Sequence, residues 1–199
     1  MVVKLYVEGA GPTDLQRSQC RQAFQAFFKS LGLAGRLPGT VACGGRQAAY
    51  DDFVTAVAAN KSCVLPLLLV DSEGPVAPGQ TAWQHLRVRD NWAKPAGASD
   101  DQAFLMVQVM ETWFLADRKT LRRYAGPEFR ADALRAWPSL EDVSKQKVYE
   151  ALDKATADCG GKRYAKGTRS FEILGMLNAG TVENACPHAK RLLDRLRSL

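Results

Sequence analysis

The segment that most constrains the fold is the apolar run at residues 64–70, which ends in Asp71-Ser72-Glu73-Gly74. The run is long enough for one strand and too short to span a bilayer. Consecutive apolar positions indicate a strand buried on both faces, as in a parallel sheet. Ligands of open α/β sheets bind beyond the carboxyl ends of the strands, so we expect Asp71 and Glu73 to lie at the functional edge.

The N-terminus repeats this arrangement of an apolar strand followed by acid. Residues 2–7 are mostly apolar and lead into Glu8-Gly9. We expect Glu8, Asp71 and Glu73 to share one rim, where carboxylates could hold a hard divalent cation such as Mg²⁺ while phosphate oxygens complete its shell. The alternative is that each acid only caps a loop or a neighbouring helix. The pattern of an apolar strand followed by acid occurs at two strand ends, and this recurrence favours the metal site.

Strand and helix patterns alternate along the first half of the chain. A strand at 2–7, a helix from Leu15, a short strand at 40–43, a second helix and the strand at 64–70 predict a doubly wound, mainly parallel sheet flanked by helices. A fourth strand at 103–110, whose tail could turn helical, would deliver Glu111 to the same rim as a further ligand. We expect a single α/β domain over 1–199, with a core over about 1–117 and a helical C-terminal portion over about 118–199.

The segment between Gly74 and Asp101 breaks this alternation with proline and glycine. It is predicted to be a long loop, and such loops are usually lids, binding surfaces or tethers. Two of its residues, Trp83 and Trp92, argue against a disordered tether. They either stack on nucleic-acid bases or pack over the sheet.

Composition restricts the compartment and permits an anionic partner. The net charge is +6, which allows nucleic acid without requiring it. The five cysteines are odd in number and widely scattered, which favours reduced thiols and a cytoplasmic location. No run of residues resembles a signal peptide or a membrane span, so no membrane association is expected.

Several well-known motifs are incomplete. Asp14 stands where a dinucleotide-binding loop would have its third glycine, and Arg163 follows Gly160-Gly161-Lys162 where a P-loop requires Ser or Thr. The chain therefore has no ATPase motif of its own. Cys43 precedes a probable helix start, but a small buried thiol is favoured over a reactive one. Cysteine and histidine lack the paired spacing of a zinc site.

The most basic loop of the chain lies before Ser170. Its residues Lys162, Arg163, Lys166 and Arg169 surround Gly160, Gly161 and Gly167, and a flexible loop lets such side chains converge on a phosphate. The alternative is an ordinary solvated surface. We identify these four as candidate phosphate- or nucleic-acid-binding residues, with Lys166 as a candidate catalytic residue.

The strand ends resemble a known domain. Tyr6-Val7-Glu8-Gly9 and Leu69-Val70-Asp71-Ser72-Glu73 resemble the two signature motifs of the Toprim domain of primases, topoisomerases, recombination-mediator proteins and OLD-type nucleases. There, a glutamate and an Asp-x-Asp pair bind Mg²⁺ and act on phosphodiester bonds. The resemblance implies these roles for Glu8 and Asp71. The second motif here is Asp-x-Glu, which keeps the charge but lengthens one side chain.

Further stretches resemble an uncharacterised bacterial Toprim-like family over nearly the whole chain. They include Trp83-Gln84-His85-Leu86, Met110-Glu111-Thr112-Trp113-Phe114-Leu115-Ala116-Asp117 and Ser170-Phe171-Glu172-Ile173-Leu174. Members of that family are often encoded beside ATPase genes, which implies an ATPase partner. By position in OLD-type nucleases, the resemblance implies second-metal roles for Glu111 and for Asp14 or Asp117, and a phosphate-assisting role for Lys166 or Lys162.

These features predict a Mg²⁺- or Mn²⁺-dependent phosphodiesterase acting on nucleic acid, in a phage-defence or DNA-repair system. Metal-bound acids would activate the attacking water, and lysine or arginine would stabilise the phosphate charge. Glu8 is either a ligand or a general acid or base. One alternative is a non-catalytic scaffold subunit, which the Asp-x-Glu motif and the small net charge favour. Another is a nucleotide- or sugar-phosphate-processing enzyme that uses the same acids, which activity on a small phosphodiester but not on DNA would favour.

Overall fold

A four-stranded sheet organises the computed structural model, which describes residues 1–9, 11–33 and 35–199. The strands are β1 (Val2–Glu8), β2 (Gly39–Gly44), β3 (Val64–Asp71) and β4 (Ala103–Met106). They lie in the order β2-β1-β3-β4, and each neighbouring pair is parallel. The predicted α/β fold with a mainly parallel sheet is confirmed.

Helices connect the strands and form most of the chain after β4. Within the described ranges they are α1 (Asp14–Lys29), α2 (Arg46–Ala58), α3 (Ala82–Asp90), α4 (Thr112–Ala116), α5 (Arg118–Ala125), α6 (Lys145–Ala155), α7 (Thr168–Leu174), α8 (Ala179–Ala185) and α9 (Pro187–Arg197). The helical C-terminal portion is thus confirmed. Measured over the described residues, every helix is too short or too polar to cross a membrane.

Side chains of the central strands alternate between two buried layers, as a pleated sheet requires. Leu5, Leu67 and Leu69 face α1 and the C-terminal helices. Tyr6, Leu68 and Val70 face α2 and α3. The sheet is therefore covered on both faces, which explains why β3 is apolar at consecutive positions.

Aromatic residues dominate the layer shared by α1 and the C-terminal portion. Phe24, Phe27, Phe28, Trp113 and Phe114 are fully buried, and the rings of Phe27 and Trp113 stack with centroids 5.2 Å apart. Burial of each such side chain contributes about 1.5–3 kcal/mol. The C-terminal helices are consequently joined to the sheet through one continuous core.

The strand order creates a crevice at one edge of the sheet. From the central strand β1 the chain passes to β2 on one side and then to β3 on the other. Where the direction of winding reverses, the flanking helices diverge beyond the carboxyl ends of the strands. Glu8 and Asp71 end the two strands that border this reversal.

Two sequence predictions are wrong: the end of the fourth strand, and the loop between Gly74 and Asp101. The fourth strand ends at Met106 instead of 110, because the following residues leave the sheet and bond to the loop after β3: the Glu73 N–H donates to the Gln108 carbonyl at 2.8 Å. The predicted loop between Gly74 and Asp101 contains α3, whose start is stabilised by a capping box between Thr81 and Gln84.

The two tryptophans of that segment pack and do not present open stacking faces. Trp83 and Trp92 are each 5% exposed. Trp83 packs against Phe53 with ring centroids 5.7 Å apart, and Trp92 stacks on Tyr50 at 4.5 Å. Of the two alternatives for these residues, packing is the one observed.

Asp117 links the core to the C-terminal portion. It is buried, its Oδ1 accepts a hydrogen bond from the Thr120 N–H at 3.1 Å, and its Oδ2 accepts one from the Asn178 N–H at 3.0 Å. Both carboxylate oxygens therefore have structural partners, the first of them as the N-cap of α5. The structure gives Asp117 a fold-stabilising position away from the strand ends.

We expect Asp117→Ala to lower the free energy of unfolding by about 2–3 kcal/mol, because it removes a helix cap and leaves a second buried N–H without its acceptor. Urea unfolding measures this loss. Asp117→Asn retains an acceptor oxygen and should lose less. Unchanged stability in the alanine variant would contradict the assigned role.

Candidate metal centre

Three carboxylates meet at the carboxyl edge of the sheet. One oxygen each from Glu8, Asp71 and Glu73 lies within 4.8 Å of the others, and all three residues are partly buried. A single divalent ion could contact all three, since carboxylate oxygens are the ligands that hard cations prefer. These are the residues whose convergence the two strand ends predict.

A bulge at the end of β1 positions Glu8. Val7 is paired with Ala42, but Glu8 is paired with Gly44, so one residue of β2 is passed over at this point. The extra residue is Cys43 of β2, and such a bulge increases the local twist of the strand pair at the point where Glu8 ends β1. Gly9 continues with φ of 101°, a value that favours glycine. The backbone conformation thus favours glycine directly after Glu8.

A strained turn presents Glu73. Its φ is 62°, in the left-handed region that residues with a side chain rarely adopt. The turn is held by buried Ser72, whose hydroxyl donates to the Gly74 carbonyl at 2.6 Å. The Ser72 carbonyl in turn accepts a hydrogen bond from His85 Nε2 at 2.8 Å. Because a carbonyl can only accept, His85 carries a proton on Nε2.

Asp71 and Glu111 are held by neutral hydrogen-bond donors. The Met110 N–H donates to Asp71 Oδ1 at 2.8 Å. The hydroxyls of Tyr164 and Ser170 donate to Glu111 Oε1 at 2.9 and 3.1 Å. These bonds fix the two carboxylates without neutralising them, and in the described part of the chain no lysine or arginine forms an ion pair with either.

Glu8 and Glu73, by contrast, contact cations. Arg46 Nη1 lies 2.8 Å from Glu8 Oε2. The same guanidinium donates two hydrogen bonds to Asp90, from Nε to Oδ1 at 2.9 Å and from Nη2 to Oδ2 at 2.7 Å. Lys145 forms an ion pair with Glu73 Oε2. Both contacts involve Oε2, which leaves Oε1 of each glutamate available to another partner.

Burial and mutual repulsion raise the pKa values of the cluster. Burial raises the pKa of Glu8 to about 7, and Glu73 adds to this while Arg46 opposes it. Burial raises the pKa of Asp71 well above its usual range, and the charges of Glu8 and Glu111 raise it further. Without a cation these carboxyls therefore favour their protonated forms, and a bound divalent ion would compete with those protons and stabilise the ionised forms.

A cavity of about 170 Å³ adjoins the cluster, and Lys166 is one of the residues that line it. Its lining includes Glu8, Asp71, Glu111, Lys166 and Ser170. The Lys166 ammonium also lies 4.5 Å from the centre of the Tyr149 ring. Glu111 and Lys166 thus share a cavity with two of the acids, although Glu111 lies outside the group whose oxygens are within 4.8 Å.

The other basic residues of the predicted loop lie elsewhere. Lys162 is 3.6 Å from Glu172 and lies over the Tyr124 ring, and Arg163 is 2.8 Å from Asp153. Neither lines the cavity of the acids. Arg169 is partly buried, and its Nη1 has no hydrogen-bond partner in the described chain. Only Lys166 of the four basic candidates lines that cavity, so the structure does not bring the set together.

The remaining acid candidates are also separated from the cluster. Asp14 is an exposed first residue of α1, and Asp117 is the buried cap described above. Cys43 is partly buried, and burial raises the pKa of its thiol to about 12, so the thiolate is not favoured. The turn predicted at 10–12 includes Ala10, which lies outside the described residues.

The sequence reasoning missed Arg46, Asp90 and Lys145. Arg46 follows Gly44-Gly45 at the end of β2, so a signal for it existed: this strand end belongs to the same rim. Asp90 ends a helix that was predicted as loop. Lys145 reaches Glu73 from a distance of 72 residues along the chain, and no local pattern indicates that contact.

Comparison with family models gives one match: residues 7–197 fit the family described as a domain of unknown function, DUF4276. The chain belongs to this family. The match covers the end of β1 with Glu8, the other three strands and the C-terminal helices, so the acid cluster lies within the matched region. Neither the curated proteins nor the solved structures contain a significant match.

The raised pKa of Glu8 predicts that metal-free stability falls between pH 4.5 and 7. An unfolded glutamate loses its proton near its ordinary value of 4.5, whereas folded Glu8 holds it to about 7. The folded state binds more protons over this interval, so each rise in pH favours unfolding, by up to roughly 3 kcal/mol in total. Urea unfolding in chelator at several pH values measures this, and Glu8→Gln should flatten the dependence. An equally steep fall in that variant would contradict the assignment.

Proposed function

We propose that this protein is a Mg²⁺- or Mn²⁺-dependent phosphodiesterase that cleaves nucleic acid. The observation that carries the proposal is the convergence of Glu8, Asp71 and Glu73 at the point where the sheet reverses its winding. The resemblance of both strand ends to the Toprim signature motifs supports the same chemistry.

The donor set fits a hard divalent cation. It consists of carboxylate oxygens alone, it is partly buried, and burial and mutual repulsion raise the pKa values of Glu8 and Asp71, so a cation among them would stabilise the ionised forms. Such a cation supplies Lewis acidity and lowers the pKa of a bound water so that it can attack phosphorus. Glu8, Asp71 and Glu73 would hold it, and Glu111 would support a second ion, as the family resemblance implies.

Residues around the cluster have distinct tasks in this proposal. Lys166, in the same cavity, stabilises negative charge on the phosphate that is attacked. Tyr164 and Ser170 orient Glu111, and the Met110 N–H orients Asp71. Arg46 holds Glu8 through one oxygen while the other remains free for the metal. The existing ion pairs are therefore compatible with ligation.

We extend the proposal to a phage-defence or DNA-repair system with an ATPase partner. This part rests on the family resemblance and on the lack of an ATPase motif in the chain itself. Copurification of the chain with the product of an adjacent ATPase gene tests it directly.

Cleavage of DNA with Mn²⁺ present is the central test. We expect Glu8→Gln and Asp71→Asn to lower the cleavage rate by roughly 100-fold or more, because each removes a charged ligand with little change in shape. Asp101→Asn, which neutralises an exposed acid before the amino end of β4, is the matched control and should cleave normally. Full activity in both site variants would refute the proposal.

A second candidate is a non-catalytic scaffold, favoured by the contacts of Arg46 with Glu8 and of Lys145 with Glu73. These cations neutralise two of the three acids without any metal. The scaffold would dock onto its partner and leave phosphodiesters intact.

Calorimetric titration with Mn²⁺ separates the two candidates. The phosphodiesterase should release or absorb heat on binding Mn²⁺, and Glu8→Gln should abolish most of that signal because the cluster loses a charge. Asp101→Asn again serves as the control. A wild-type titration without carboxylate-dependent heat would favour the scaffold.

A further inference from the structure

A second charged cavity lies on α6, away from the acid cluster. It has a volume of about 230 Å³ and is lined by Arg135, Trp137, Lys147, Glu150 and Lys154, together with two alanines. We call Arg135, Lys147 and Lys154 the α6 patch. It combines three cations and an aromatic ring with one acid, which suits an anionic ligand.

The three cations of the α6 patch are exposed to solvent and form no ion pair within the described residues. Across residues 1–9, 11–33 and 35–199, none of the three forms an ion pair. The acid of the cavity, Glu150, accepts a hydrogen bond from Gln146 at 2.9 Å instead. This differs from the loop before Ser170, where Lys162 and Arg163 are already paired with acids.

The wall of the cavity opposite α6 is held in place by Arg118. Its Nη1 donates to the Leu134 carbonyl at 3.0 Å, its Nη2 donates to the Arg135 carbonyl, and its guanidinium lies over the Trp137 ring. The backbone that carries Arg135 and Trp137 is thereby fixed against α6. The patch is a preformed surface and not a set of unrelated side chains.

One helix connects the patch to the acid cluster. Lys145, at the start of α6, contacts Glu73. Lys147 and Lys154 follow on a common face, two helical turns apart. At about 1.5 Å rise and 100° rotation per residue, Lys154 lies roughly 14 Å along the axis from Lys145 and about 180° around it, so a strand that joins the cluster to the patch passes around α6 as well as along it. A nucleic-acid strand advances roughly 3.4 Å per nucleotide in B-form DNA, so this distance corresponds to about four nucleotides.

We propose that the α6 patch binds the phosphate backbone of a nucleic-acid strand whose scissile phosphate lies at the acid cluster. The inference rests on the proposed function and specifies its substrate as a polymer that extends at least about four nucleotides from the cleaved bond. A small phosphodiester reaches the acids but not the patch.

The test is binding of a fluorescent single-stranded DNA of about twelve nucleotides in chelator, measured over a range of salt concentrations. A triple variant with Arg135→Gln, Lys147→Gln and Lys154→Gln should bind roughly tenfold more weakly. The slope of log affinity against log salt should fall by about two, since each lost contact with a single strand contributes about 0.7.

A second triple variant controls for net charge. Lys4→Gln, Arg36→Gln and Lys61→Gln remove the same charge from exposed residues near the opposite edge of the sheet. This variant should retain the wild-type slope. All six positions are exposed, and equal thermal unfolding midpoints confirm that both variants fold; the single variants Lys147→Gln and Lys154→Gln should each show part of the effect.

Equal weakening in both triple variants, wild-type affinity in the patch variant, or no DNA binding by the wild-type chain would overturn the inference. Because chelator removes the metal, these results do not depend on catalysis. If the wild-type chain cleaves DNA with Mn²⁺ but the patch variant binds DNA as tightly as wild type, the inference about the patch is wrong and the proposed function is retained. Patch-dependent binding without cleavage would retain the inference about the binding surface and favour the scaffold.

Discussion

Parallel pairing of β1 with β3 is the constraint on which the site depends. The register places Val7 beside Leu69, so both strands deliver their next acids to the same edge. Because β2 lies on the other side of β1, the covering helices separate at this edge and leave a crevice. Apolar neighbours penalise ionised carboxylates, so this geometry requires compensating charge or hydrogen bonds at the strand ends.

The crevice meets that requirement in two ways. Glu8 and Glu73 have cationic partners from α2 and α6, whereas Asp71 and Glu111 have neutral donors. Burial raises the pKa of Asp71, the charges of Glu8 and Glu111 raise it further, and the hydrogen bond from the Met110 N–H only partly opposes them. A divalent ion would supply the missing charge without displacing any of these bonds.

Sequence reasoning recovered the sheet and the acid cluster because both follow from short-range patterns. An apolar run ending in acid indicates a strand end, and parallel topology then brings Glu8 and Asp71 together. It missed α3, because proline and glycine around Thr81 outweighed the capping box, and it extended β4 past Met106 into a segment that bonds to the loop after β3. The contact of Lys145 with Glu73 could not be predicted from the sequence, because it depends on how the C-terminal portion folds over the sheet.

Basic residues show most clearly why composition alone misleads. The loop at 162–169 has a high density of positive charge, yet Lys162 and Arg163 face acids that lie 10 residues away along the chain, and these pairs reduce their attraction for a phosphate. The cations at 135, 147 and 154 are dispersed in sequence and become neighbours only after α6 packs against the preceding segment. Electrostatic attraction for an anion depends on unpaired charge at one place, and that quantity is set by tertiary structure. A cluster in sequence and a cluster in space are thus independent properties of this chain.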